Sequence, residues 1–129
     1  MNPEKAIRVL VVEDDATTRF MMSELCEAFG LNARVVSSGT AFLALVERQP
    51  DVADVILMDI HMPLLSGADA TSKMRSKRSH PPRGVPVVAL TSDRTWADQK
   101  KREYYGIDAY LQKPVSPHAM VSLVERLAH

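Results

Sequence analysis

The chain has 129 residues, 16 basic and 16 acidic, for a formal net charge of zero. Hydrophobic residues make up 46%, enough to bury a core without disulfide or metal staples. The charge balance argues against direct nucleic-acid binding or attachment to a membrane surface, which usually call for a basic chain. The single cysteine, Cys26, excludes an internal disulfide framework and any CxxC metal or redox motif. It reads as a small core residue of a helix.

Length alone predicts one domain over residues 1–129. The opening Met1-Asn2-Pro3-Glu4-Lys5 has no apolar h-region, so no signal peptide is expected. No apolar run approaches the ~20 residues of a membrane span. The expected location is cytoplasmic.

In chain order, the first apolar run is Ile7 to Val12, followed by Glu13-Asp14-Asp15. Asp15 can cap a helix whose apolar face is Met22, Leu25, Cys26 and Phe29, at i, i+3, i+4 and i+7. Gly30 is placed to end it. The second run, Ala33 to Val36, leads to a helix from about Thr40 to Arg48 that buries Phe42, Leu45 and Val46 and stops before Pro50. The third run, Val55 to Met58, ends in Asp59-Ile60-His61-Met62-Pro63. A helix from Gly67 to about Lys77 follows, with Ala70 and Met74 inward. The segment Lys73 to Arg83, with Arg75, Lys77, Arg78, His80 and Pro81-Pro82, reads as the polar end of that helix and a solvated loop; docking of an acidic partner is the alternative.

The fourth run, Val85 to Leu90, ends in Thr91-Ser92. The pattern from about Arg94 to Tyr105 predicts one helix with a poor apolar stripe. Trp96, Ala97 and Tyr104 are its candidates, and the aromatic residues Trp96, Tyr104 and Tyr105 face either the sheet or a partner. Such a helix buries little and is easy to move. The fifth run, Ala109 to Leu111, passes through Gln112 into Lys113-Pro114. The last helix has Ser116 as cap, Pro117 in its first turn, and Met120, Leu123, Val124 and Leu127 on one face.

The runs are rich in β-branched residues and do not alternate, as do parallel strands buried on both faces. Five strands and five helices in strict alternation predict an α/β fold with a doubly wound parallel five-stranded sheet. Functional groups then belong beyond the carboxyl ends of the strands, where Glu13, Asp14, Asp59, Thr91 and Lys113 all fall.

If the first and third strands are neighbours, Asp14 and Asp59 face each other. Two unneutralised carboxylates so close would force one pKa upward, and a divalent cation removes that cost. Oxygen donors with retained waters suit Mg²⁺, and Mn²⁺ fits the same donors. His61 invites comparison with a zinc ligand, but its oxygen-rich company speaks against zinc; its backbone carbonyl is the better donor. A hydroxyl (Thr91) and an ammonium (Lys113) at the same edge complete a site for a phosphoryl group. Asp59 can be the nucleophile, with Mg²⁺ and Lys113 offsetting charge on the phosphoryl oxygens and Thr91 donating to one of them. Each residue alone also has a bland account: Asp15 as a helix cap, Thr91 as a strand-end cap, Lys113 as a surface lysine. The ordered set of four strand ends is what favours the chemical reading.

The motifs Val11-Val12-Glu13-Asp14-Asp15, Met58-Asp59-Ile60-His61-Met62-Pro63 with Gly67, Ala89-Leu90-Thr91-Ser92 and Tyr110-Leu111-Gln112-Lys113-Pro114 resemble the receiver domains of bacterial response regulators and hybrid histidine kinases. The resemblance runs from Val9 to about Leu127. It implies a flavodoxin-like (βα)5 fold with strand order 2-1-3-4-5. It also implies a phospho-acceptor function in two-component or phosphorelay signalling. Asp59 would be the phosphorylated residue, Asp14 a direct Mg²⁺ ligand, Glu13 a ligand through water, and His61 a carbonyl donor to the metal. Thr91 would be the switch hydroxyl, Lys113 the lysine that contacts the phosphoryl group, and Tyr110 the aromatic switch residue. The Lys113–Pro114 bond is expected to be cis, as in similar domains. The partner would be a histidine kinase or a histidine phosphotransfer protein, and the face made by the fourth helix, Tyr110 and the fifth helix would change on phosphorylation. Such a domain is not a turnover enzyme. The side chains of His61 and Ser92-Asp93 flank the path of attacking water, positions that tune dephosphorylation in similar domains.

Two rivals remain open on the sequence. A haloacid-dehalogenase-like phosphatase would need an acid where this chain has His61. A pseudo-receiver scaffold would not need Asp14, Asp59, Thr91 and Lys113 together. A stand-alone regulator and a piece of a longer protein are both compatible with the chain; the run Gly67-Ala68-Asp69-Ala70-Thr71 looks more like receivers of hybrid sensor kinases.

Overall fold

The computed structural model describes residues 6–77 and 84–128. Strands β1 (Arg8–Val12), β2 (Asn32–Val36), β3 (Val55–Asp59), β4 (Val87–Thr91) and β5 (Ala109–Gln112) form one parallel sheet in the order β2-β1-β3-β4-β5. Helices α1 (Ala16–Ala28), α2 (Gly39–Arg48), α3 (Gly67–Ser76), α4 (Gln99–Tyr105) and α5 (Pro117–Leu127) connect and cover it. This is the doubly wound fold and strand order expected above.

The period-2 geometry of a strand sends successive side chains to opposite faces, and along β1, β3 and β4 both faces are dry. Leu10, Val12, Ile56, Met58, Val87 and Ala89 share a core with Phe42, Leu45, Val46 and Met74. Their alternates Val9, Val11, Val55, Leu57, Val88 and Leu90 share a second core with Met22, Cys26, Met120, Leu123 and Val124. An unbroken apolar strand is the sequence consequence of helices on both sides. Cys26 is buried as expected, and burial pushes its thiol up to about 11.

The helices begin where capping oxygens stand. Asp15 accepts from Thr18 N (2.9 Å), Ser38 from Ala41 N (3.0 Å), Ser66 from Asp69 N (3.1 Å) and Ser116 from Ala119 N (3.4 Å). Gly30 follows α1 at φ 75° and Gly106 follows α4 at φ 82°, left-handed turns that suit glycine.

Three expectations need correction. The helix expected from Arg94 to Tyr105 is two pieces, a 3₁₀ turn (Arg94–Ala97) and α4. Asp98 between them is extended (φ −70°, ψ 114°) and its side chain accepts from Lys100 N, so it caps a new helix instead of continuing the old one. Arg102 Nη1 donates to the Trp96 and Ala97 carbonyls that the break releases, at 2.8 and 2.9 Å. Within this segment Trp96 is buried, but Ala97 and Tyr104 are exposed, and Tyr105 packs against Trp96 instead. Second, Phe29 is exposed, its ring meeting His118 edge-on at 5.8 Å. Third, Arg75 is not merely polar helix end. Its Nε donates to Gly106 O and its Nη2 to Asp108 Oδ2, both at 3.0 Å, tying α3 to the turn between α4 and β5. Of the basic segment read from Lys73 to Arg83, residues 78–83 lie outside the described residues. Among the described residues, no helix is long and apolar enough to cross a membrane.

Candidate functional site

The carboxyl ends of β1 and β3 bring three acids together. Val12 pairs with Met58 in register, so Glu13 and Asp14 leave β1 beside Asp59. One carboxylate oxygen from each of Glu13, Asp14 and Asp59 lies within 4.8 Å of the others. Asp14 is exposed, while Glu13 and Asp59 are buried, each 1% exposed. A buried carboxylate is costly unless paired, and each of the two has partners. Asp59 Oδ1 accepts from His61 N (3.2 Å) and from Lys113 Nζ (3.1 Å). Glu13 Oε2 accepts from Asp15 N (3.2 Å).

Glu13 Oε1 is the exception. It is buried and accepts no hydrogen bond from the described residues; Lys113 Nζ stands 3.5 Å away. Burial, and then the neighbouring Asp59, push the Glu13 carboxyl up to about 7. Burial opposes the charge on Lys113, but the hydrogen bond and charge of Asp59, with Glu13 behind them, raise its pKa above the ordinary lysine value. The ammonium is therefore held charged between two acids.

The donor set fits a hard divalent cation: three clustered carboxylates, one with an orphaned oxygen, and no sulfur or imidazole among them. The His61 ring is turned elsewhere. Its Nε2 stands 3.2 Å from Thr91 Oγ1, which also accepts from Asp93 N at 2.9 Å. Thr91 is completely buried at the end of β4, and its carbonyl accepts from Lys113 N at 2.9 Å. Thr91 and Lys113 are thus fixed to each other through the backbone. The Lys113–Pro114 bond is cis. Tyr110 is farther back on β5, paired in register with Ala89. It is half-buried against the core on the α2–α3 side, with the Arg102 guanidinium 5.6 Å from its ring centroid, within cation–π range.

Two supports were not singled out from the sequence. Arg19 Nη1 donates to the carbonyls of both Glu13 and Asp14 at 2.9 Å, holding the acidic loop from α1. Gly67, read from the sequence as a helix start and part of a motif, lies against the backbone of Asp59, and its amide donates to Ile60 O at 2.9 Å. The spacing from Asp15 to Arg19 places both on one helical turn, a signal for Arg19 only once the loop's path is known. Beside the acids a cavity of 370 Å³ opens between Glu13, Lys113 and the apolar side chains of Met21, Met22, Leu25 and Val115.

With this geometry in place, the likenesses to known proteins are specific. A family model described as the response regulator receiver domain matches residues 9–125. The sensor histidine kinase GacS of Pseudomonas protegens is 31% identical over 123 residues, 93% of this chain but 13% of that protein. The sensor and hybrid kinases that this chain resembles are far longer, and it spans between 5% and 13% of their lengths. Among solved structures, the receiver domain of sensor histidine kinase PA1611 from Pseudomonas aeruginosa has a TM-score of 0.82 at 27% identity, over 96% of this chain and 98% of that one; it holds a magnesium ion in its active-site cleft. The receiver domain of Ssk1 from Saccharomyces cerevisiae, crystallised with the histidine phosphotransfer protein Ypd1, has a TM-score of 0.80 at 25% identity, over 95% and 89% of the two chains.

Proposed function

The chain belongs to the response regulator receiver domain family of two-component and phosphorelay systems, and on that premise we propose that it takes a phosphoryl group from a phosphohistidine onto Asp59. The observation that carries this reading is the buried Asp59 carboxylate with Lys113 Nζ 3.1 Å away, inside a cluster of three acids. In the transfer, the P–N bond of the donor breaks as a carboxylate oxygen of Asp59 bonds to phosphorus. The electron pair stays on the donor imidazole nitrogen, which takes up a proton. Water later attacks the phosphorus, releases inorganic phosphate and restores Asp59. The chain is thus consumed and regenerated as a phospho-acceptor and does not turn over an external substrate.

Asp14 and Asp59 would hold Mg²⁺ directly, Glu13 through water, and His61 through its backbone carbonyl; Mn²⁺ suits the same oxygens. The bound ion would supply the positive charge that draws phosphoryl oxygens into a nest of carboxylates. Lys113 keeps its ammonium where those oxygens would develop charge, a contribution that needs no reorganisation at the moment of reaction. Thr91 offers a hydroxyl to the phosphoryl group, and Tyr110 follows it inward.

The readout would be the face of α4, β5 and α5. Support comes from α4, none of whose residues is buried, so its displacement disrupts little packing. Full conversion of such a two-state face from 1:99 to 99:1 takes about 5.5 kcal/mol of differential stabilisation. The Lys113 contact, the Thr91 hydrogen bond and the shared cation are of the right kind to provide it.

The donor is a histidine kinase or a histidine phosphotransfer protein, a reading supported by the Ssk1–Ypd1 complex and by the apolar cavity that opens beside Glu13 and Lys113. The test is intact mass after incubation with Mg²⁺ and acetyl phosphate. The parent should gain one phosphoryl group, and Asp59→Ala or removal of Mg²⁺ should abolish the gain. A parent that stays unmodified with acetyl phosphate and with phosphohistidine donors would make the acid cluster a scaffold feature.

A further inference from the structure

Thr91 Oγ1 is tied on two sides before any phosphoryl group arrives. Asp93 N donates to it at 2.9 Å, and His61 Nε2 lies 3.2 Å away. The hydroxyl is buried, whereas His61 is exposed, so the imidazole meets it from the rim of the site. A threonine hydroxyl has one proton and two lone pairs. The Asp93 amide takes one lone pair. His61 takes either the proton or the other lone pair, according to its tautomer. Where Nε2 is the acceptor, it holds the one proton that the hydroxyl could give to a phosphoryl oxygen on Asp59.

We propose that His61 is a positioning residue of the switch: its imidazole latches Thr91 in the unphosphorylated protein and competes with the phosphoryl group for the same hydroxyl. This rests on the reading of Asp59 and Thr91 given above. The two halves of His61 then act in opposite directions. Its amide, 3.2 Å from Asp59 Oδ1, orients the acceptor carboxylate, and its ring opposes the response to phosphorylation. The identity of the side chain sets how far phosphorylation pulls the switch, independently of the acidic residues.

The test uses beryllofluoride, a phosphoryl mimic that forms on a carboxylate, at saturating Mg²⁺, with the bound species followed by its ¹⁹F resonances. The proteins compared are the parent, His61→Ala, His61→Gln, Thr91→Ala and the double variant His61→Ala/Thr91→Ala. Loss of one net hydrogen bond from the resting state should tighten binding to His61→Ala by roughly two- to tenfold. Glutamine, which can still bond to the hydroxyl, should return affinity toward the parent value. In the Thr91→Ala background, removing His61 should change nothing, which separates a latch on Thr91 from a general effect of the ring. In the protein without metal or mimic, Thr91→Ala should shift the His61 Nε2 ¹⁵N resonance. Equal or weaker binding by His61→Ala, or tightening that persists without Thr91, overturns the latch while leaving the phospho-acceptor reading intact. A parent that fails to bind beryllofluoride at all removes that reading and the latch with it.

Discussion

Gly67 lies so close to Asp59 that a Cβ on Gly67 would overlap the Asp59 carbonyl oxygen and crowd the Met58 side chain. The first turn of α3 thus rests directly on the strand end that presents the Asp59 carboxylate. Its φ is not the reason for glycine here; the close approach of two backbones is. Gly67→Ala should cost about 1–3 kcal/mol, the range of overpacking a filled site, because backbone, unlike the end of a flexible side chain, cannot step aside. Urea unfolding should show the midpoint falling at unchanged slope. An unaltered midpoint would mean that α3 can slide away from β3.

Divalent metal should stabilise the protein through the acid cluster. Glu13, Asp14 and Asp59 cluster there, and Glu13 Oε1 accepts no hydrogen bond from the described residues. A ligand that binds only the folded state adds about 2.7 kcal/mol at a hundredfold excess over its Kd. Mg²⁺ should therefore raise the Tm of the parent, and Asp14→Asn should remove most of the rise. A rise of equal size in Asp14→Asn would place the ion elsewhere.

Lys113→Met should leave the fold intact and cripple phosphorylation. The side chain is one-third exposed, with its Nζ on Asp59 Oδ1. Methionine keeps the apolar stem and deletes the charge. By analogy with removal of one electrostatic donor from a reacting site, the rate with acetyl phosphate should drop on the order of 100-fold, measured by intact mass against time. A rate within threefold of the parent would assign Lys113 to structure alone.

Two ion pairs at the end of α3 should behave differently. Arg75 is largely buried and bonds both Gly106 O and Asp108 Oδ2, and Asp108 Oδ2 also accepts from Val87 N at 2.8 Å. Lys77 and Glu47 pair at 3.3 Å in the open. Arg75→Ala should cost roughly 1–3 kcal/mol, since it strips a half-buried carbonyl of the Arg75 Nε–H and leaves the Asp108 carboxylate only the Val87 amide of the two donors named. Lys77→Ala should stay within about 0.5 kcal/mol. Chemical denaturation of both variants decides this; equal losses would contradict the role of Arg75 as the tie between α3 and the α4–β5 turn.

The acid limb of stability should carry a signature of Asp54. Partial burial works against its charge, but the Arg8 side chain and amide, at 3.0 and 2.8 Å, outweigh it and hold the carboxyl below the ordinary aspartate value. A depressed pKa contributes stability above the unfolded value and loses it as pH falls through the folded one. Asp54→Asn should therefore be less stable than the parent at pH 7, by about 1–2 kcal/mol for hydrogen bonds to a charged group. The difference should shrink as pH drops below about 4, the unfolded aspartate value. A gap that persists undiminished at pH 3 would show that packing, not ionisation, is responsible.

Much of this molecule was legible along the chain. The central strands β1, β3 and β4 are built on short apolar runs, because helices cover both faces of the sheet there; the edge strand β2 keeps Asn32 and Arg34 and is largely exposed. Asp59, Thr91 and Lys113 stood out because each ends or follows such a run, where the doubly wound topology collects functional groups. The caps Asp15 and Ser116 were readable, because capping is a local exchange between a side chain and an amide three residues on.

What tertiary structure alone decided depends on contacts between distant segments or on backbone, which carry no periodic signal. Asp98 reads as one more charge on a solvated face, yet its side chain takes a backbone amide and splits the expected helix in two. Arg19 and Arg75 look like surface charges until the carbonyls they reach, in the Glu13–Asp14 loop and at Gly106, are brought beneath them. The turn of the His61 ring onto Thr91, 30 positions away, follows from the packing of β3 beside β4, and residue type could not foretell it. The sequence determined which groups stand at the sheet edge; only the folded chain decided which of them touch, because hydrogen bonds act over about 3 Å in space and are indifferent to separation along the chain.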